Sequence, residues 1–192
     1  MPKPILILQL RPEDDTSDGE FAAILKYGGL DARDVRRLRI EHTGIPEDLN
    51  LDDYCAVIVG GSPFDISAPP ERKSAIQNRI ERDFNTLFDE LVPRDIPLLG
   101  ACSGNGLLAG FPDRIAVLLG HKEACDATPA GATLLMIGAE CPVQMFRVGQ
   151  NVYATQFHPE GDAVRPGDPE AIRGALPRHV APQIRPSSAL VC

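Results

Sequence analysis

The sequence has 192 residues, of which 43% are hydrophobic and 24% charged, and its net charge is −8. These proportions are typical of a globular domain and exclude a disordered, collagenous or coiled-coil chain. No apolar run approaches the roughly 18 residues that a membrane span requires. The N-terminus lacks the apolar stretch and cleavage site of a signal peptide, so we expect a cytoplasmic protein without a membrane partner.

The charged and sulfur-containing residues narrow the function classes further. The densest basic stretch, residues 33–39, is flanked by acidic residues, which predicts a solvated face and argues against a nucleic-acid partner. Five cysteines, an odd number with no C-x-x-C pair, indicate neither a disulfide scaffold nor a zinc knuckle. The remaining functional interpretation is that one of these cysteines is a reactive thiol.

The first half of the chain predicts strands that alternate with helices. Residues 4–10 (PILILQL) form a nearly continuous apolar run, as in a strand buried on both faces. Residues 17–20 (SDGE) match a capping box, which predicts that a helix begins there and ends at Gly28 and Gly29. Residues 35–40 predict a short second strand, and residues 54–60 a third that stops at a Gly-Gly-Ser-Pro turn.

The second half begins with the strongest periodic signal. Apolar residues recur at three- and four-residue steps between Ile76 and Leu91, which predicts an amphipathic helix. Residues 97–101 predict another buried strand, and residues 104–109 a short helix. Four strand-like segments follow, at residues 115–119, 133–137, 143–148 and 152–157.

This order of elements predicts an α/β protein. Its doubly wound, mostly parallel sheet would carry helices on both faces in the flavodoxin-like manner, with antiparallel strands added after residue 104. We expect one domain over residues 1–160. Residues 161–192 contain five prolines and predict a poorly packed C-terminal tail.

Cys102 is the candidate nucleophile. It is the central residue of residues 100–104 (GACSG), which follow a buried strand and match the G-x-nucleophile-x-G turn. Small residues on both sides allow a sharp strand-to-helix turn that exposes the sulfur, and a helix N-terminus or a nearby histidine lowers the pKa of such a thiol. The alternative is that Cys102 is a small buried apolar residue, as most free cysteines are.

His158 is the candidate base, and Glu160 its orienting carboxylate. Residues 152–157 predict a strand that ends at His158, and in extended backbone positions i and i+2 point to the same side. His-x-Glu also occurs in zinc deaminases, but the Pro-Cys-x-x-Cys that they require does not follow here. Backbone N–H groups of residues 60–63 (GGSP) and of Ser103 could bind an oxyanion, although a plain Gly-Gly turn is an equally simple interpretation.

Together these segments resemble the class I glutamine amidotransferases. The resemblance covers roughly residues 4–160 and is carried by PILILQL, VIVGGSP, PLLGACSG, GHKEA and YATQFHPE. It implies a triad of Cys102, His158 and Glu160, with Gly61 as the oxyanion glycine. It further implies that the thiolate attacks the side-chain amide of glutamine, releases ammonia and leaves a glutamyl thioester for water to hydrolyse.

Three features depart from that family. Gly106 occupies the position of the usual glutamine of G-x-C-x-G-x-Q, a span after Ala109 is missing, and the tail replaces a long helix. A catalytically degenerate binding or regulatory protein on the same scaffold therefore stays open. A cysteine hydrolase of the α/β-hydrolase type is the third interpretation, which the acid following the histidine disfavours.

The sequence predicts no cofactor and no metal. The resemblance implies glutamine as the small-molecule substrate. The sequence carries no phosphate-binding G-x-x-x-x-G-K-[ST] motif, so we expect an acceptor-activating synthetase, where there is one, on another chain. His121, in the GHKEA segment, either lines the pocket or is a hydrogen-bonded structural histidine.

Overall fold

The structure is a computed structural model, and it describes residues 2–101, 115–118, 121–137 and 142–158. Within these ranges no helix is both long enough and apolar enough to span a bilayer. The predicted helix at 104–109, the tail at 161–192 and the domain boundary at residue 160 lie outside the described residues.

Nine strands and three α-helices make up the described part of the chain. The helices are α1 (Asp14–Gly28), α2 (Ile40–Thr43) and α3 (Ala75–Leu91), and short 3-10 turns occupy Ala32–Asp34, Leu51–Asp53 and Pro70–Arg72. The strands are β1 (Ile5–Gln9), β2 (Val35–Arg39), β3 (Ala56–Val59), β4 (Leu98–Ala101), β5 (Ile115–Leu118), β6 (His121–Cys125), β7 (Thr133–Met136), β8 (Met145–Val148) and β9 (Val152–Thr155).

Seven of these strands form one sheet in the order β2-β1-β3-β4-β9-β8-β7. The first five are parallel, whereas β8 and β7 are antiparallel additions at one side, and β5 and β6 form a separate antiparallel pair. The mostly parallel α/β sheet predicted from the sequence is therefore confirmed. The parallel part has the flavodoxin-like strand order, in which the connection reverses direction between β1 and β3.

Alternate residues of the inner strands pack into two hydrophobic cores, one on each face of the sheet. Leu6 and Leu8 face the larger core, in which Phe84 and Leu91 of α3 are fully buried. Ile5 and Ile7 face the opposite core, where α1 contributes Ile24. Because both faces are covered, these strands are apolar at most positions, which explains the nearly continuous apolar runs in the sequence.

Helix α1 begins earlier than the sequence predicted. Its N-cap is Glu13, so Ser17 and Glu20 lie inside the helix and are buried rather than capping it. The prediction of a capping box at residues 17–20 is wrong, because these two side chains turn toward the sheet and make tertiary hydrogen bonds there. The predicted end is correct, since Gly29 adopts the left-handed conformation with φ 63° that terminates the helix.

The basic segment at residues 33–39 also differs from its prediction. Arg33 is exposed and pairs with Asp31, as a solvated face requires. Arg37 and Arg39, however, have side chains only 24% and 20% exposed and bond to β1, α1 and the loop between them. These two arginines therefore have a structural role, because their hydrogen bonds and ion pairs connect the edge strand β2 to β1 and α1.

Candidate functional site

Three adjacent strands end at the same edge of the sheet and carry the predicted site residues. The register pairs Val59 of β3 with Gly100 of β4, and Ala101 of β4 with Thr155 of β9. Gly60 and Gly61 follow β3, Ala101 is the last described residue before Cys102, and His158 follows β9. Since parallel strands present their carboxyl ends together, the three predicted segments converge on one edge, next to the reversal of strand order where ligands bind in such sheets.

His158 lies directly against Gly61. A Cβ atom placed on Gly61 would come within 2.5 Å of His158 Cε1, so the imidazole occupies the space that any side chain at position 61 would need. The chain between β9 and His158 is held by two hydrogen bonds: Gln156 N donates to Gln144 O at 2.8 Å, and Thr155 Oγ1 donates to Phe157 O at 2.9 Å. The structure thus brings together two of the residues that the sequence singled out.

A buried carboxylate stands on the other side of this turn. Glu20, in α1, has a side chain that is 5% exposed and accepts hydrogen bonds from Gln9 Nε2 at 2.8 Å, Arg11 Nε at 2.9 Å and Gly61 N at 2.9 Å. We call Gln9, Arg11, Glu20 and Gly61 the Glu20 cluster. Because its donors come from the end of β1, the following loop and the end of β3, the cluster ties these segments together at the carboxyl edge.

The remaining bonds of the cluster anchor it to the edge strand. Gln9 Nε2 also donates to the carbonyl of Ser17 at 2.7 Å, and Gln9 Oε1 accepts from Arg37 Nε. The Arg37 guanidinium lies over the ring of Phe21, with its Cζ 4.8 Å from the ring centroid. The buried side chains of Gln9 and Glu20 therefore have partners, as an interior polar network requires.

The Gly61 N–H, a predicted oxyanion donor, is directed at Glu20 in this structure. A Cβ on Gly60 would approach Glu20 Oε2 within 2.5 Å, so the carboxylate packs against the backbone of both glycines. The guanidinium of Arg11 lies on the same side of Gly61 as His158, with Nη2 within 2.5 Å of the same Cβ position. The turn is therefore enclosed by Glu20 on one side and by Arg11 and His158 on the other.

The other predicted site residues lie outside the described residues. These are Cys102, Ser103 and Glu160, together with Gly106. Their roles, and the oxyanion role of Gly61, stay predictions. The backbone of His121 begins β6, a strand that the sequence did not predict because residues 121–125 (HKEAC) contain no apolar alternation.

Two of the remaining cysteines are described. Cys125 is buried and packs with Val143 and Phe146. Cys55 precedes β3, at the edge of the sheet opposite the candidate site, and packs against the core that contains Ile5 and Ile7.

Sequence reasoning missed Glu20 and Arg11. Glu20 was explained by a capping box, and Arg11 follows β1 in a stretch with no motif. One signal was available: the ends of adjacent parallel strands lie together, so polar residues after β1 belong to the same edge as the Gly-Gly turn after β3.

Comparison with solved structures defines the class of fold. The chain matches a glutamine amidotransferase from Thermotoga maritima with a TM-score of 0.60 and 20% identity, over 85% of this chain and 79% of that chain. It matches a glutamine amidotransferase from Methylobacillus flagellatus with a TM-score of 0.59 and 17% identity, over 85% and 72% of the two chains. The fold is that of the class I glutamine amidotransferases.

Comparison of sequences agrees with this class. The chain is 37% identical over 172 residues to the glutamine-hydrolysing GMP synthase of Streptomyces avermitilis, a match that covers 70% of this chain and 30% of that protein. No family model matches the chain. The resemblance predicted from the sequence is confirmed, because the matched proteins are glutamine-hydrolysing GMP synthases and glutamine amidotransferases. The chain spans less than a third of the length of the Streptomyces relative.

Proposed function

We propose that this protein hydrolyses the side-chain amide of glutamine and releases ammonia. In this proposal Cys102 is the nucleophile, His158 the general base and acid, and Glu160 the carboxylate that orients the imidazole. The observation that carries the proposal is the position of His158, which lies against Gly61 at the edge where β4 ends one residue before Cys102.

The chemistry follows from these positions. His158 takes the thiol proton of Cys102, and the thiolate adds to the amide carbon while the carbonyl electrons move to oxygen. The N–H of Ser103, at the start of the turn after the nucleophile, donates to this oxyanion, and the N–H of Gly61 is the second donor once it turns from Glu20. His158 then protonates the amide nitrogen as the oxyanion electrons re-form the carbonyl and the C–N bond breaks, which releases ammonia. Water attacks the thioester, the C–S bond breaks, and glutamate and the Cys102 thiol result.

In this proposal, a partner protein binds the substrate that accepts the ammonia. The matched part of the Streptomyces GMP synthase is 30% of that protein, so most of the relative is absent from the alignment. We infer a synthetase that activates the acceptor on another chain and receives the ammonia, and we place the protein in the cytoplasm.

Two observations favour a second function. The Gly61 N–H already has a carboxylate partner, and Gly106 stands where the resemblance expects a glutamine, so a binding protein on the same scaffold would keep this site without catalysis. Such a protein would bind glutamine or a related amide without turning it over.

Ammonia and glutamate release from glutamine separates the two functions. We expect turnover by the parent protein, none by Cys102→Ser, and a reduction on the order of 10² to 10⁴-fold for His158→Ala, the scale of a lost positioned base. His42→Ala is the matched control, because the side chain of His42, in α2, is 53% exposed and lies 3.5 Å from Glu41 Oε1. Glutamine binding by calorimetry without turnover would support the binding protein, and hydrolysis of a small ester in place of glutamine would support an esterase-like enzyme.

A further inference from the structure

The hydrogen bond from the Gly61 N–H to Glu20 conflicts with the predicted role of this N–H as an oxyanion donor. One N–H directed at a buried carboxylate is not available to a developing oxyanion on the substrate side. The donor distance of 2.9 Å is that of a normal, well-formed bond. The acceptor is charged and almost wholly removed from water, and such bonds are roughly twice as strong as neutral ones.

The other contacts of Glu20 allow its hydrogen bond with Gly61 to break. When Gly61 turns away, Glu20 keeps Gln9 Nε2 at 2.8 Å and Arg11 Nε at 2.9 Å, so the buried charge retains two donors, one of them cationic. The peptide that must rotate lies between two glycines, which tolerate the widest range of backbone angles. Opening therefore exchanges one hydrogen bond without leaving an unpaired buried ion.

We propose that Glu20 is a positioning residue that holds the Gly61 N–H away from the substrate, and that glutamine hydrolysis requires this N–H to be released. The inference rests on the proposed function. Thiolate addition to the amide must then compete with Glu20 for the donor, so the resting protein hydrolyses glutamine more slowly than its triad allows. Weakening the acceptor at position 20 speeds the reaction rather than slowing it.

Glu20→Gln is the direct test. The substitution keeps the size of the side chain and replaces a charged acceptor by a neutral one, so we expect kcat for glutamine to rise roughly 5-fold to 100-fold with little change in KM. Glu41→Gln is the matched control: Glu41 has a side chain 2% exposed and accepts from Arg39 Nε at 2.6 Å, but the Gly61 N–H donates to Glu20 and not to it. We expect it to leave kcat unchanged.

A second measurement reports on the bond without activity. In 15N-labelled protein, the Gly61 amide proton should resonate downfield in the parent, shift upfield in Glu20→Gln and exchange faster with solvent, while Glu41→Gln leaves it in place. Glu20→Gln should unfold at a lower denaturant concentration than the parent, because Arg11 loses its charged partner. Urea denaturation therefore identifies the condition under which both proteins are folded, and the amide signals and kcat values are compared there.

The outcomes separate the inference from the proposed function. A faster Glu20→Gln enzyme with a shifted Gly61 amide supports the inference. An unshifted amide, or a shifted amide with kcat equal to or below that of the parent, overturns it while turnover by the parent leaves the proposed function standing. If no variant releases ammonia from glutamine, the proposed function fails and the inference with it, whatever the amide shows.

Discussion

At the scale of single residues, the candidate site depends on a position that has no room for a side chain. Gly61 is enclosed by His158 Cε1 and Arg11 Nη2, both within 2.5 Å of where its Cβ would stand. A Cβ atom does not come that close to another non-bonded heavy atom, so a methyl group at this position must displace both the imidazole and the guanidinium. A displaced base loses its alignment with the nucleophile, and misplacement by about 1 Å can cost about 100-fold in rate.

Gly61→Ala tests this close approach. We expect glutamine turnover to fall by roughly 100-fold or more while the protein stays folded, measured by ammonia release and by circular dichroism. Gly28→Ala is the control, because a methyl group there meets only the flexible end of the Leu30 side chain, at 3.1 Å, and should leave turnover intact. Full activity in Gly61→Ala would show that His158 does not work from the position seen here.

The residue scale also shows what sequence reasoning can and cannot reach. Gly61 and His158 were found because short motifs at strand ends carry recognisable chemistry. Glu20 was noticed but given a local role, since its partners Gln9 and Gly61 are 11 and 41 residues away along the chain. A side chain whose partners are set by strand order cannot be assigned until that order is known.

At the scale of elements, α3 is the main support of one face of the sheet. Phe84 is fully buried in the larger core and lies 5.3 Å from the ring of Phe88 between centroids. The helix begins at an N-cap, Ser74, whose hydroxyl accepts from Gln77 N. The helical spacing of the apolar residues in α3 could be recognised in the sequence, because only one face of the helix is apolar.

Phe84→Ala should destabilise the protein strongly. Removing a fully buried ring leaves a cavity between α3 and the sheet and typically costs about 3 to 5 kcal/mol in the free energy of unfolding, measured by urea denaturation. Ile76→Ala, on the same helix but 46% exposed, should cost less than about 1 kcal/mol. Equal losses in the two variants would show that α3 does not pack through Phe84.

Asp95 stabilises the turn between β8 and β9. Its carboxylate accepts from Gln150 N at 3.0 Å, Asn151 N at 3.1 Å and Asn151 Nδ2 at 3.0 Å, and its backbone has φ 51°. Asp95→Ala removes these acceptors and places alanine in a left-handed conformation, so we expect a loss of about 1 to 3 kcal/mol in denaturant unfolding.

Asp95→Asn is the matched variant for this turn. Asparagine keeps one acceptor oxygen and tolerates the same backbone angles, so its loss should be clearly smaller than that of Asp95→Ala. A loss as large in both variants would assign the effect to the negative charge instead of the hydrogen bonds and the backbone.

The elements that sequence reasoning missed or misplaced have physical causes. Strand β6 carries charged and polar residues in its sequence, so no alternation marked it. Strand β9 was grouped with the later strands, yet it pairs in parallel with β4, because pairing across a long separation leaves no trace in a local pattern. That pairing places His158 beside the end of β4.

At the scale of the whole molecule, the strand order explains why the site is where it is. The parallel strands run β2-β1-β3-β4-β9, and the reversal between β1 and β3 brings Arg11 and Gly61 together at the carboxyl edge. The α/β class and its parallel sheet could be predicted from alternating apolar runs and helical periods. The order of the strands within the sheet could not, since several orders satisfy the same local patterns.

The most direct test of the proposed function is intact-mass and peptide mass spectrometry of the protein quenched with acid during glutamine turnover. We expect the mass of one glutamyl group added as a thioester, located on the peptide that contains Cys102, increased when hydrolysis is slowed and absent from Cys102→Ser. Ammonia release that persists in Cys102→Ser with no adduct on any cysteine would contradict the account.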